Sequence, residues 1–214
     1  ASAVATRALA REDSSVLAII GTGEQAEFHL EAMLAVRPIR AVRVFGRRPE
    51  RAEAFVSLAQ SHFPEVTFEW GIDVKAAVDG ADIVCTVTAA SEPVLFGDWV
   101  APGTHLNIVG ASIPSKTEID QDLLARSALF ADYRPSIFAQ AGELIAAIEA
   151  GRLGKEHVLA EIGEVLAGAH PGRTDAGQIT LYRSLGIAAQ DLACAHFCCE
   201  AAREQGLGVD APLD

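Results

Sequence analysis

The stretch "VLAIIGTGEQAEF", residues 16–28, runs an apolar segment directly into Gly21, Gly23 and Ala26. A short apolar, β-branched run reads as a buried strand, and the segment after the glycines carries apolar residues at three and four spacings, as a helix does. A strand that enters a helix through G-x-G-x-x-A is the form of the dinucleotide fingerprint. Gly21 allows the tight turn, Gly23 lets the backbone approach a pyrophosphate, and Ala26 lets the helix pack closely. The phosphates would lie at the helix N-terminus, among Gly21, Thr22, Gly23, Gln25 and Ala26.

The pattern repeats outward from there. "AVRVFG" (41–46) is a second strand and "PERAEAFVSLAQSHF" (49–63) a second helix, with Pro49 in its first turn. "VTFEW", "ADIVCTVT", "THLNIVGA" and "ALFAD" continue as strands, with "DVKAAVDG" and "TEIDQDLLARS" as helices between them. Strands that alternate with helices predict right-handed crossovers and a mostly parallel α/β sheet covered on both faces, with "ALFAD" as its last strand. After Asp132 the texture changes to "SIFAQAGELIAAIEAG", "LAEIGEVLAG", a loop "AHPGRTDAGQ" and a long closing helix from about Ser184.

The tip of the second strand selects the dinucleotide. An NAD site places Asp or Glu there for the ribose hydroxyls, whereas an NADP site removes that charge and supplies arginine. Here the chain reads "VFGRRPE": no carboxylate stands at the tip, Gly46 leaves room, and Arg47 and Arg48 follow. Arginine's planar fork suits a 2′-phosphate, so NADP(H) is expected over NAD(H); two solvated loop charges are the plainer alternative.

Composition narrows the classes. A chain of 214 residues, half of them hydrophobic, can bury a sizeable core. Its apolar runs are too short to span a bilayer and its first residues lack a secretory signal, so a soluble cytoplasmic protein is expected. The net charge of −12 argues against a nucleic-acid or anionic-membrane surface. The four cysteines form no paired CxxC units and the six histidines no HExxH, so no metal site is expected. Cys85, Cys194, Cys198 and Cys199 read as buried small hydrophobes, and His105 and His196 as ordinary core or surface residues. "ASAVATRALARED" (1–13) looks like the middle of a helix without a cap, as though upstream sequence were missing.

With "IIGTGEQA", "CTVTAASEPVL", "IVGASIPSKTEID", "EIGEVLAG", "PGRT" and "ITLYRSLGIAAQDLA" in this order, the chain resembles the ornithine cyclodeaminase/μ-crystallin family over essentially its whole length. The resemblance implies a homodimer of subunits with a Rossmann domain, here residues 14–135. Residues 1–13 and 136–214 would then belong to, or pack on, a second and incomplete substrate and dimerisation domain. It also implies hydride exchange at a carbon that bears an amine or imine beside a carboxylate. By the same resemblance Thr86 and Thr88 face the cofactor, Val109 and Gly110 line its nicotinamide side, Lys116 lies near it, and Ser184 closes over it. From the residues alone, Thr88 equally caps a turn, Lys116 is a solvated helix-start charge, and Ser184 is an N-cap. The family's substrate-binding arginine and lysine match nothing in this chain.

Ser112 departs from part of that family. Its cyclodeaminases and alanine dehydrogenases carry aspartate at this place, whereas the μ-crystallin-like ketimine reductases carry serine. A serine hydroxyl is no general base at neutral pH, but an imine arrives already oxidised and needs only a proton at nitrogen and hydride at carbon. The expectation is an NADPH-dependent reductase of small cyclic α-imino acids, with Ser112 and Lys116 at the reacting end. Cyclodeamination, amino-acid dehydrogenation and NADPH-regulated ligand binding without turnover are the alternatives.

Overall fold

The computed structural model describes residues 1–209. Its strands are β1 (Val16–Ile20), β2 (Ala41–Phe45), β3 (Thr67–Gly71), β4 (Ile83–Thr86), β5 (His105–Ile108), β6 (Ser127–Ala131), β7 (Val158–Glu161) and β8 (Ile179–Arg183). All eight form one parallel sheet in the order β3-β2-β1-β4-β5-β8-β6-β7. α1 (Ser2–Leu9) precedes them, α2 (Glu24–Val36), α3 (Pro49–His62), α4 (Val74–Val78), α5 (Gln121–Arg126), α6 (Arg134–Gln140), α7 (Gly142–Glu149) and α8 (Ile162–Leu166) run between them, and α9 (Ala188–Gln205) follows.

Alternate strand residues bury against opposite layers, as the two-residue period requires. Leu17 and Ile19 of β1 pack with Leu30 and Met33 of α2 and Ala59 of α3. Ala18 and Ile20 pack on the other face with Val78 of α4, Leu123 of α5 and Leu144 of α7. The register aligns the strand ends: Ile20 lies beside Phe45 and Thr86, Thr86 beside Ile108, Ile108 beside Arg183, and Arg183 beside Ala131. One row of C-terminal strand ends therefore crosses the sheet, with the reversal of strand order between β1 and β4, where such sheets bind ligands.

Two expectations need correction. The sheet does not end at "ALFAD": β8 is inserted between β5 and β6, and β7 lies outside β6. Residues 1–13 and 136–214 are thus not confined to a second domain, because the latter supply two strands and the former a helix on the sheet. Ala5 and Leu9 of α1 pack with Phe130, Ala160 and Tyr182. Thr6 Oγ accepts from Asn107 Nδ2 of β5 at 2.9 Å, and Arg173 Nε donates to the Leu9 carbonyl at 2.7 Å. Both contacts are long-range, which is why local pattern did not reveal them.

α9 is different. None of its residues is buried, and Leu192 and Phe197 are each 72% exposed. Cys85 is buried as expected, but Cys194, Cys198 and Cys199 are exposed, on a helix none of whose residues is buried. The closing helix also begins later than expected, at Ala188, after a link in which Gly186 turns the chain at φ +85°. Among the described residues no helix is long and apolar enough to cross a membrane.

Candidate active site

The fingerprint loop has the backbone its glycines predict. Gly21 adopts φ +123°, and a Cβ there would lie 2.7 Å from the Val87 carbonyl oxygen. Its N–H donates to the Phe45 carbonyl at 2.9 Å, which fixes the turn against β2. Gly23 is the N-cap of α2 with no side-chain cap, and a Cβ there would meet nothing within 4 Å. In the first turn of α2 the Ala26 N–H bonds back to the Gly23 carbonyl at 3.0 Å, and the N–H groups of Glu24 and Gln25 precede the intrahelical ladder, the arrangement that holds a pyrophosphate. Thr22 is half-buried and Gln25 exposed in this loop, while Ala26 is fully buried where the helix meets the sheet. These residues fit a dinucleotide.

At the tip of β2, a Cβ on Gly46 would lie 2.8 Å from Thr22 Cγ2 and 3.2 Å from Ala52 Cβ. The glycine therefore brings the tip of β2 against the fingerprint loop. Arg47 and Arg48 follow it, both exposed, and Arg48 is the N-cap residue of α3.

Across the switch point, β4 and β5 are joined by a carboxylate that the sequence reading quoted but gave no role. Glu118 is fully buried and accepts four hydrogen bonds. Its Oε2 takes Thr86 Oγ at 2.9 Å and the Gly110 N–H at 2.6 Å; its Oε1 takes the Thr88 N–H at 2.8 Å and Thr88 Oγ at 2.7 Å. Four donors satisfy the buried carboxyl group, and among the described residues no salt bridge reaches it. Thr86, expected to face the cofactor, instead points inward with its hydroxyl taken by Glu118. Thr88, Val109 and Gly110 remain half-buried at the strand ends. Gly110 has no alternative, since a Cβ there would lie 2.0 Å from the Thr88 carbonyl oxygen.

The loop beyond Gly110 carries Ser112, exposed, and Lys116, half-buried. It is held from beneath by Arg183, the last residue of β8, which is 1% exposed. Arg183 Nη1 donates to the Ile108 carbonyl at 3.0 Å, Nη2 to the Ala111 carbonyl, and Nε to Glu143 Oε1 at 2.5 Å. Ser184 follows, half-buried, with its N–H donated to Ile108 at 3.0 Å. Asp132, at the end of β6, accepts from the N–H groups of Leu185 at 2.6 Å and Gly186 at 2.5 Å. Arg183, Glu143 and Asp132 escaped the sequence reading. An arginine closing the apolar run "ITLYR" was the available signal.

Other buried ionisable groups lie under the sheet. Burial, with the Arg173 charge nearby, lowers His105 to about 3, so it stays neutral, with Nδ1 2.9 Å from Thr180 Oγ. Burial pushes the Cys85 thiol up to about 12, against a weaker pull from its Asn107 contact. Burial, then the Asp132 carboxylate, pushes Tyr182 up to about 12. None of the three is an acid or base at neutral pH. Among the described residues no cluster of three His, Cys, Asp or Glu side chains is placed to hold a metal ion.

The model of the ornithine cyclodeaminase/mu-crystallin family matches residues 1–206. The mouse (Mus musculus) ketimine reductase mu-crystallin is 38% identical over 194 residues, 91% of this chain and 58% of the relative. A Delta(1)-pyrroline-2-carboxylate reductase of Bacillus cereus is 36% identical over 97% of this chain and 63% of its own length. Among solved structures, the Thermococcus litoralis Delta(1)-pyrroline-2-carboxylate reductase in complex with NADH and L-proline superposes with a TM-score of 0.94 at 33% identity. The match covers 98% of this chain and 65% of that one. An archaeal alanine dehydrogenase dimer with bound NAD has a TM-score of 0.91 at 34% identity, over 99% and 65% of the two chains. The chain thus spans about three fifths of the length of these curated relatives (58% and 63%).

Proposed function

Since the chain belongs to the ornithine cyclodeaminase/mu-crystallin family, we propose that it is the dinucleotide-binding part of an NADPH-dependent reductase. The substrate would be a small cyclic α-imino acid of the Δ1-pyrroline-2-carboxylate or Δ1-piperideine-2-carboxylate type, and the working unit a cytoplasmic homodimer. One observation carries this reading. The first carboxylate after the β5 tip, Glu118, is turned inward and occupied by four donors, whereas Ser112, in the loop between them, is exposed. A carboxylate facing outward there would favour deprotonation of an amine; a neutral hydroxyl suits an iminium that arrives with its proton.

Roles follow from position. Gly21, Thr22, Gly23, Gln25 and Ala26 would hold the pyrophosphate, Arg47 and Arg48 the 2′-phosphate, and Thr88, Val109 and Gly110 the nicotinamide side, with Ser184 above. Thr86 acts through Glu118. A bound nicotinamide dinucleotide supplies the hydride. Ser112 orients the imine by a hydrogen bond at the ring nitrogen, and Lys116 keeps positive charge beside the substrate carboxylate. The C=N π pair becomes the amine lone pair as hydride adds at carbon. Support for NADP over NAD rests on Arg47, Arg48 and the missing carboxylate at the β2 tip; the solved relatives named above hold NADH and NAD.

The test is a fluorescence titration of the full-length protein with NADPH and NADH, followed by addition of Δ1-pyrroline-2-carboxylate. NADPH consumption dependent on the imine is the expected result. Tight NADPH binding without consumption of any cyclic imine would favour a ligand-binding protein, and a preference for NADH would overturn the reading of Arg47 and Arg48.

A further inference from the structure

The backbone of the loop that carries Ser112 and Lys116 is gripped in both its halves. At its first half, Arg183 donates to the carbonyls of Ile108 and Ala111. The Ala111 carbonyl belongs to the peptide that joins Ala111 to Ser112, so fixing that plane fixes the Ser112 N and Cα atoms from which its side chain departs. At its second half, α7 meets the loop through Gly142, where a Cβ would lie 2.4 Å from the Pro114 carbonyl oxygen and 2.6 Å from that of Lys116. The next residue of α7 is Glu143, which pairs with Arg183 at 2.5 Å.

The pair is 1% and 2% exposed at its side chains, and Glu143 Oε2 has no hydrogen-bond partner among the described residues. Breaking such a pair strands a buried charge, whereas a well-packed apolar pair could replace both members at little cost to stability. An ion pair here is therefore poorly explained by stability alone. The guanidinium does what an apolar group cannot: one rigid plane holds two carbonyls of the β5 tip and one carboxylate of α7 at once.

We propose that Arg183, held by Glu143, is a positioning residue that sets the orientation of Ser112 through the Ala111 carbonyl. This rests on the reductase reading above. Arg183 also precedes Ser184, whose N–H donates to the same Ile108 carbonyl at 3.0 Å, so the backbone segments that carry the two serines meet at one residue.

Arg183→Lys in the full-length protein keeps the charge opposite Glu143 but loses the fork. Two readouts are followed, amide hydrogen exchange at residues 109–116 and steady-state kinetics with C4-deuterated NADPH. The expected result is faster exchange confined to 109–116 and a kcat lower by about 10- to 100-fold, the scale of a small misplacement at a reacting centre. The deuterium isotope effect on kcat should rise as hydride transfer becomes limiting, with NADPH affinity little changed. Unchanged exchange would overturn the clamp. Faster exchange with unchanged kcat and isotope effect would overturn the positioning role and leave a structural one. If the unmodified protein reduces no cyclic imine, the reductase reading falls, while the exchange data still decide the clamp. Should Arg183→Lys fail to fold, Glu143→Gln answers the same questions, since it frees the guanidinium without removing it.

Discussion

Glu118 and Thr88 are joined twice through one oxygen: Oε1 accepts the Thr88 N–H at 2.8 Å and the Thr88 hydroxyl at 2.7 Å. The other oxygen takes the Gly110 N–H at 2.6 Å, so one carboxylate fixes the ends of both strands that flank the proposed nicotinamide site.

Glu118→Gln tests how much depends on that charge. Either orientation of the amide sets its NH2 against a backbone N–H, of Thr88 or of Gly110, because each oxygen serves one. A buried donor left facing a donor costs about 2–3 kcal/mol, which urea denaturation should read as a lower midpoint with an unchanged slope. Nicotinamide dinucleotide affinity should fall as well. Glu118→Asp, too short to reach both strands, should not restore either property.

Gly21 and Gly23 should separate folding from binding. Gly21→Ala forces a Cβ onto a φ of +123° and to within 2.7 Å of the Val87 carbonyl oxygen, and so should cost about 1–3 kcal/mol. Gly23→Ser puts a favoured N-cap on α2 in open space, so stability should hold or rise. Its side chain fills the approach of the pyrophosphate, and dinucleotide affinity should drop. Thermal melts beside fluorescence titrations of the two variants decide it.

Arg47→Ala and Arg48→Ala should weaken NADPH far more than NADH, by about tenfold for each charge-assisted bond lost. Isothermal titration with both dinucleotides measures the ratio. Equal losses would mean that the two arginines meet only solvent.

His105 predicts an acid limb in the stability profile. Its ordinary value is 6.5 and its folded value about 3, so between these the unfolded chain binds a proton that the folded protein does not. Stability from this group is therefore complete above pH 6.5 and declines as pH falls toward 3, with a slope of up to about 1.4 kcal/mol per pH unit. His29, lowered chiefly by burial, adds to the same limb. His105→Gln should flatten the profile over that range in denaturant titrations at stepped pH.

The sequence by itself determined the half of the molecule built from local signals. The apolar run, Gly21, Gly23 and Ala26 specify a strand, a turn and a helix within 13 residues, "VLAIIGTGEQAEF", and the alternation that follows specifies a parallel sheet. Arg47 and Arg48 were legible for the same reason, since their place is counted along the chain from that turn. Tertiary structure alone decided what α1, β7 and β8 do. "ITLYR" becomes an interior strand only because β5 and β6 leave a gap that its two apolar faces fill, and "SAVATRAL" packs on the sheet because Asn107 and Arg173 reach it from far along the chain. Glu118 and Arg183 were hidden likewise. A charge is stable in a core only if distant segments bring donors and acceptors to it, and periodicity in sequence carries no record of which segments will meet.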